Sequence, residues 1–201
     1  MAEKFDDKAA TWDDDPDKVA RARHGADAIR AALGLRPTMR VLDYGAGTGL
    51  LSEQLAEAVG SLVLADPSAG MRAVMEAKVA AGTLPNATVV DLDLTQDASD
   101  VGSFDLVTTM LALHHIPDLA GVLAGLAAVL ESGGQLAVID LEAEDGSFHG
   151  PGFPGHEGFD RDELTTALTA AGFTAPTFAA LPPLEKHGRE YGLFLVTCTR
   201  R

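Results

Sequence analysis

The stretch Val41-Leu-Asp-Tyr-Gly-Ala-Gly-Thr-Gly49 decides the fold of this chain. A short apolar segment runs into three glycines at alternate positions, a pattern that predicts a strand, a tight turn and a helix. Gly45 and Gly47 suit the turn because glycine adopts positive φ angles and lets a ligand approach the backbone closely. Gly49 opens a predicted helix over 50–59, whose free N–H groups offer a site for an anionic group.

The spacing of these glycines favours a nucleoside ligand over a dinucleotide. The dinucleotide fingerprint Gly-x-Gly-x-x-Gly requires its third glycine where this chain has Leu50. Asp66 lies 17 residues beyond Gly49, at the end of the next predicted strand, where a carboxylate can bind both hydroxyls of a ribose. The pattern therefore disfavours an oxidoreductase with a nicotinamide cofactor.

Strands and helices alternate along most of the chain. Apolar runs predict strands at 40–44, 61–65, 87–90, 104–109 and 135–140, and several are continuous, as in a parallel sheet covered on both faces. Helices are predicted at 16–33, 50–59, 68–81, 117–130 and 160–171. Two further strand-like runs, 174–181 and 193–199, are separated by Pro182-Pro183 and a polar turn, and they predict a hairpin at the edge of the sheet.

Four segments resemble, in order and spacing, the class I S-adenosylmethionine-dependent methyltransferases of the small-molecule branch. Residues 43–49 are similar to the first motif of that family, and 104–118 to its fourth strand and the following loop. Residues 130–140 are similar to the fifth strand, and 159–173 to the late helix and aromatic-led strand. The resemblance implies an α/β fold with a Rossmann-like, doubly wound, seven-stranded and mostly parallel sheet whose last strand is antiparallel.

The same resemblance implies S-adenosylmethionine as cofactor, S-adenosylhomocysteine as product and a small molecule as substrate. The implied reaction is methyl transfer to an oxygen, nitrogen or carbon atom. The alternative is a cofactor-binding regulatory or scaffold protein that keeps the fold without transfer activity. An intact glycine motif together with Asp66 favours the enzyme.

The resemblance also assigns cofactor-binding roles to residues at the carboxyl ends of the strands. Asp43 and the glycine turn would hold the methionine part of the cofactor, and Asp66 the ribose. Asp93 would bind the adenine amino group, with Leu94 beside the ring, while Asp91 is the rival for that role. The predicted cofactor-binding residues are Trp12, Asp43, Gly45, Ala46, Gly47, Gly49, Asp66, Pro67, Met71, Asp93, Leu94 and Met110.

His114 is the candidate catalytic residue. It follows the fourth predicted strand, and an imidazole, which ordinarily titrates at about pH 6.5, can accept a proton from a hydroxyl or amine. Methyl transfer from a sulfonium needs mainly in-line positioning, however, and the sequence shows no carboxylate clearly placed to orient this imidazole. The sequence therefore favours a role for His114 in lining the pocket over a role as general base.

Residues 142–158 contain five glycines and two prolines, and they predict a long loop that forms part of the substrate pocket. His149, His156 and Glu157 of this loop could supply metal ligands together with His114. Their spacing matches no recognised metal site, so the sequence predicts no bound metal.

The chain is expected to form one domain over 1–201. Its predicted parts are an N-terminal lid and helix at 1–36, a cofactor-binding core at 37–141, the substrate loop at 142–158, and a C-terminal helix and hairpin at 159–201. Phe5 and Trp12 precede the first long helix in a pattern that many relatives use as a lid over the cofactor. A surface arm without function is the alternative for this segment.

Composition narrows the function classes further. The formal net charge of −15 disfavours nucleic acid and anionic membranes as partners. Cys198 is the only cysteine, which excludes disulfides and thiolate metal clusters within one chain. No apolar run approaches a membrane span, and no signal peptide is evident, so the expectation is a cytoplasmic monomer or homodimer.

Overall fold

The computed structural model describes residues 3–95 and 101–201. The β-strands are β1 Arg40–Tyr44, β2 Ser61–Ala65, β3 Ala87–Val90, β4 Phe104–Met110, β5 Leu130–Leu141, β6 Phe173–Lys186 and β7 Arg189–Arg200. The α-helices are α1 Glu3–Asp6, α2 Pro16–Ala32, α3 Leu50–Leu55, α4 Ala69–Ala80, α5 Leu119–Val129 and α6 Arg161–Ala170. Short 3-10 helices cover Ala9–Asp14, Ala56–Ala58 and Leu113–His115.

The seven strands form a single sheet in the order β3-β2-β1-β4-β5-β7-β6. Neighbours from β3 through β5 are parallel, whereas β7 runs antiparallel to both β5 and β6. The strand order reverses between β1 and β4, and ligands of such sheets bind beyond the carboxyl ends of the strands at this point. The predicted fold class, with its antiparallel last strand, is confirmed.

Helices cover both faces of the sheet, because each helix buries one apolar side against it. Ile29 of α2, Leu55 of α3 and Met75 of α4 belong to the core on one face. Leu123 of α5 and Leu164 of α6 belong to the core on the other face. The central strands are therefore buried on both sides, which explains their continuous apolar sequences.

Side-chain caps set the starts of the helices. Asp15 accepts a hydrogen bond from Asp17 N before α2, and Ser68 Oγ accepts one from Met71 N before α4. Asp and Ser are favoured at these positions because their side-chain oxygens accept hydrogen bonds from the free N–H groups of the first helical turn. The helix expected from Pro117 begins at Leu119 instead, because Asp118 accepts a hydrogen bond from Gly121 N and acts as the cap.

The C-terminal hairpin is longer than the sequence predicts. Pro182-Pro183 was expected to separate two short strands, and this expectation is wrong, since both prolines lie inside β6. The register between β6 and β7 shifts between Leu181 and Leu184, so the prolines occupy an irregularity on an edge strand. Proline has no N–H to donate to a neighbouring strand, and at an irregularity on an edge strand no such hydrogen bond is needed.

No helix in the described part of the chain is long and apolar enough to cross a membrane.

Candidate cofactor and acceptor site

The glycine turn after β1 has a backbone that other residues would strain. Gly45, Gly47 and Gly49 have φ angles of 71°, 59° and 84°. A side chain at Gly45 would collide with Ala112 Cβ, so this glycine allows β1 and the β4 loop to approach each other. Gly47 faces open space instead, with no heavy atom within 4 Å of the position a Cβ would take. This side of Gly47 is therefore open to a ligand.

Asp66 connects the end of β2 to this turn. Its Oδ2 accepts a hydrogen bond from Gly47 N and its Oδ1 accepts one from Ser68 N, both at 2.8 Å. Burial raises the pKa of Asp66, although the same two hydrogen bonds favour the ionised form. Each carboxylate oxygen has a second lone pair, so Asp66 can still accept hydrogen bonds from two ribose hydroxyls.

Asp43 is buried at the end of β1, directly before the glycine turn, and its hydrogen bonds stabilise the turn. Its carboxylate accepts hydrogen bonds from Ser52 Oγ at 2.6 Å and from Thr108 Oγ1 at 3.0 Å. Burial, with a smaller contribution from the nearby Asp66, raises the pKa of Asp43 to about 6 against the opposing effect of the two hydroxyls. Asp43 therefore ties β1 to α3 and β4.

The structure separates the two carboxylates that competed for the adenine role. Asp91 pairs with Arg72 at 3.0 Å, and the same guanidinium donates to the carbonyl of Asp66. Asp93 is exposed and accepts hydrogen bonds from the backbone and hydroxyl of Thr95. Leu94 is buried behind it, with its N–H donating to the hydroxyl of Tyr44. Asp91 is therefore joined to Arg72 of α4, whereas Asp93 bonds within its own turn.

Residues 3–14 lie across the carboxyl edge of the sheet. Asp6 accepts hydrogen bonds from Ser68 Oγ and Gly70 N, at the start of α4, and these bonds lower the pKa of Asp6. Asp13 accepts a hydrogen bond from Thr48 Oγ1 in the glycine turn and pairs with Lys78 of α4. These contacts connect the N-terminal segment to the start of α4 and to the glycine turn.

Two aromatic rings extend this segment across the site. The ring of Phe5 contacts the ring of His115 edge-on, with centroids 5.3 Å apart. Trp12 lies 6.0 Å from Phe5, and the Lys18 ammonium lies over the Trp12 ring at 4.3 Å. The Lys18 ammonium thus occupies one face of the Trp12 ring, a residue that the sequence prediction placed among those that bind the cofactor.

His114 has an orienting carboxylate, contrary to the prediction from sequence. The Nδ1 atom of His114 lies 2.6 Å from Oδ1 of Asp140, and both side chains are buried. The same carboxylate also accepts hydrogen bonds from the backbone N–H groups of His114 and Leu141. Because Asp140 engages Nδ1, the lone pair of the neutral imidazole lies on Nε2, where it can accept a proton or bind a cation.

The loop 142–158 packs over His114 and encloses it. His156 N donates to the carbonyl of His114 at 2.8 Å, and the His156 ring bonds to the carbonyl of Ile116. The rings of Phe148 and Phe153 lie 6.2 and 6.3 Å from the His114 ring. The loop therefore forms an aromatic wall beside the imidazole.

The predicted site residues come together at one edge of the sheet. They include the glycine turn after β1, Asp66 and the exposed Pro67 after β2, the buried Met71 at the start of α4, and the half-buried Met110 at the end of β4. The His156 ring bonds to the carbonyl of Ile116, and Glu157 lies beside Gly146, so neither belongs to the group of histidine nitrogens at His114. The contacts of Asp6 and Asp140 could not be predicted from the sequence, because each depends on contacts between distant segments.

Comparison with known proteins identifies the class. The model of the methyltransferase domain family matches residues 41–134. A demethylmenaquinone methyltransferase from Mycolicibacterium gilvum is 36% identical over 114 residues, which cover 57% of this chain and 47% of the relative. A ubiquinone biosynthesis O-methyltransferase from Xanthomonas campestris is 33% identical over 144 residues, covering 68% and 58%. The chain thus spans about half the length of the curated relatives it matches.

Solved structures agree on the fold. A Haloferax volcanii protein, described as a candidate methyltransferase in complex with the Trm112 methyltransferase activator, superposes with a TM-score of 0.78 at 19% identity, covering 97% of this chain and 96% of that one. An S-adenosylmethionine-dependent methyltransferase from Aquifex aeolicus gives 0.71 at 22% identity, with coverage of 93% and 99%. The matched domain model is that of a methyltransferase, and the fold is the one shared by class I S-adenosylmethionine-dependent methyltransferases.

Proposed function

We propose that this protein transfers the methyl group of S-adenosylmethionine to an oxygen atom of a small molecule. The observation that carries the proposal is the convergence of two features at one edge of the sheet. These are the open glycine turn with Asp66, after β1 and β2, and the buried His114–Asp140 pair, after β4 and β5. The first suits a nucleoside cofactor and the second suits an acceptor that must lose a proton.

The cofactor supplies an electrophilic methyl group on a sulfonium when it is bound. In this proposal the open side of Gly47 faces the methionine part, Asp66 binds the ribose hydroxyls, and Asp93 binds the adenine amino group. Asp43 acts through Ser52 and Thr108 by holding the turn in place. Residues 3–14 close the site and exclude water from it.

Oxygen fits the acceptor better than carbon or nitrogen because of the His114–Asp140 pair. A hydroxyl becomes a good nucleophile when it loses its proton, and an oriented imidazole assists that step. Asp140 holds the Nδ1 side of the ring, so Nε2 is the atom that faces the acceptor's proton. The structure thus removes the objection that no carboxylate orients His114, and we favour the catalytic role.

The acceptor is proposed to be a small aromatic compound with a hydroxyl group. Two observations support this class: the aromatic wall of Phe148 and Phe153 beside His114, and the names of two relatives, which concern menaquinone and ubiquinone biosynthesis. In this proposal residues 142–158 are the substrate loop that contacts the ring.

The proposal is tested by measuring S-adenosylhomocysteine release with a panel of catechols and hydroxyquinols. Transfer to at least one hydroxyl, with the methyl ether identified by mass spectrometry, is the expected result. Calorimetry with S-adenosylhomocysteine tests cofactor binding separately. Tight cofactor binding without transfer to any oxygen, nitrogen or carbon acceptor would instead indicate a binding protein of the same fold.

A further inference from the structure

Three imidazoles meet at the end of β4, and we propose that they form a binding site for a divalent transition-metal ion such as Zn²⁺. His114 and His115 come from the 3-10 turn after β4, and His149 comes from the loop 142–158. One nitrogen atom from each ring lies within 4.8 Å of the others. This three-histidine cluster does not depend on the proposed methyl transfer.

The geometry of the rings needs little adjustment to bind an ion. Ring centroids are 4.2 Å apart for His114 and His115, 5.1 Å for His114 and His149, and 4.9 Å for His115 and His149. Zinc–imidazole bonds of about 2.0–2.1 Å require the nitrogens to be roughly 3.3 Å apart in a tetrahedral site. Rotations of the side chains, aided by the neighbouring Gly150, can close that difference.

The position of His114 supports a ligand role most strongly. Its Nε2 atom is buried and has no hydrogen-bond partner in the described part of the chain. Its Nδ1 atom is bound to Asp140, which is the arrangement in which a carboxylate orients a metal-binding histidine. A cation on Nε2 would satisfy a buried lone pair that otherwise has no donor.

The chemistry of the cluster selects the kind of ion. Three neutral imidazoles suit Zn²⁺ and its transition-metal neighbours, whereas Mg²⁺ and Ca²⁺ prefer oxygen ligands. Three protein ligands also leave one tetrahedral position for a water molecule or an acceptor oxygen. Phe153 stacks on His149 with centroids 3.8 Å apart and holds that ring in place.

An ion in this cluster would change how an acceptor hydroxyl loses its proton. A metal-bound hydroxyl has a lowered pKa, so its proton can pass to solvent while the ion holds the oxygen. With the ion bound, His114 would serve as a ligand and not as the base described under the proposed function, because its Nε2 atom cannot bind the ion and accept a proton at once.

The test uses the full chain after treatment with a chelator, without cofactor or acceptor. Calorimetric titration with Zn²⁺ is expected to give one ion per chain, and Co²⁺ is expected to give the visible absorption bands of a tetrahedral site. His149→Ala should weaken binding at least a hundredfold and abolish those bands. The control is His24→Ala, which removes an exposed histidine on α2 and should leave binding unchanged. Circular dichroism checks that both variants fold.

A second variant examines the orienting carboxylate. Asp140→Asn should weaken Zn²⁺ binding about 10- to 100-fold if the protein folds. The inference is overturned if the wild-type chain binds no stoichiometric ion, or if a folded His149→Ala variant binds as tightly as the wild type. Neither result bears on cofactor binding, which calorimetry with S-adenosylhomocysteine measures separately.

Discussion

Asp66 is the residue on which the cofactor assignment depends most directly. Its carboxylate is 8% exposed and already bonds to Gly47 N and Ser68 N, so the ribose would share a group that also holds the turn. Asp66→Ala should lower the affinity for S-adenosylhomocysteine at least tenfold. Each charge-assisted hydrogen bond that is lost contributes about 1.5–3 kcal/mol.

Calorimetry measures this effect, and Asp91→Ala is the matched control because Asp91 pairs with Arg72 on the surface. An unchanged affinity in a folded Asp66→Ala variant would sink the assignment. An equal loss of affinity for S-adenosylhomocysteine in Asp91→Ala would show that Asp91 also belongs to the cofactor site.

His114 is predicted to matter for turnover and not for cofactor binding. His114→Asn should lower the turnover number by roughly 10²–10⁴ while the affinity for S-adenosylhomocysteine stays the same, because the imidazole acts on the acceptor. Steady-state kinetics and calorimetry together measure the two effects. His24→Ala provides the control, and a loss of tenfold or less in His114→Asn would return this residue to a role in lining the pocket.

The buried Asp43 makes the stability of the protein depend on pH. Its pKa is about 6 in the folded chain, because burial disfavours the charge, against about 3.8 when the chain is unfolded. Between these values the folded state holds a proton that the unfolded state has released. The free energy of unfolding should therefore fall as the pH rises from about 4 to 6, and the contribution of Asp43 should level off above that.

Comparison of the wild type with Asp43→Asn isolates this contribution, since the variant has no charge to bury. Chemical denaturation at several pH values should show the wild type losing on the order of 2–3 kcal/mol relative to the variant across that window. A difference between the two proteins that does not change with pH would contradict the assigned pKa.

At the scale of elements, substitutions in the glycine turn can distinguish the effect of backbone strain from the effect of blocking a ligand. Gly47→Val should abolish cofactor binding, because a branched side chain would occupy the open space next to the turn. Gly82→Val is a matched control. Gly82 also has a positive φ and open surroundings, and it lies at the opposite end of α4 from the site.

Both variants should lose a similar amount of stability, of order 1–3 kcal/mol, from the strained backbone. Thermal melting and calorimetry distinguish the two effects. If Gly47→Val is folded and binds the cofactor normally, the glycine motif is only a turn.

Strands and caps of this chain could be predicted because they depend on local patterns. The bounds of β1, β2 and β3 agree with the sequence prediction, since each is a short apolar run that ends at a turn residue. The prediction that β6 ends before Pro182-Pro183 was wrong, because the pairing of β6 with β7 continues beyond these two prolines even though proline disfavours strands.

The contacts of the acceptor site could not be predicted in this way. Asp140 reaches His114 only because β4 and β5 are neighbours in register, with Met110 beside Ile139. His149 reaches His115 only through the path of a long loop that has no periodic pattern. Polar residues at the ends of strands indicate where a binding site lies, whereas the contacts between side chains within that site depend on tertiary structure.

At the scale of the whole molecule, the charge predicts which partners are excluded. The formal net charge of −15 repels phosphate backbones, and a protein of this charge should not be retained on a heparin or RNA column at physiological salt. Elution with the unbound fraction is the expected result. Retention at about 0.15 M salt would overturn the prediction and reopen nucleic acid as an acceptor.

Both free edges of the sheet are poor templates for another chain. At one edge β3 has only four residues, and at the other the three prolines of β6, Pro176, Pro182 and Pro183, interrupt the row of N–H donors that an incoming strand would need. Proteins with long, regular edge strands associate edge to edge and can form amyloid. We therefore expect the folded protein to form no fibrils at high protein concentration.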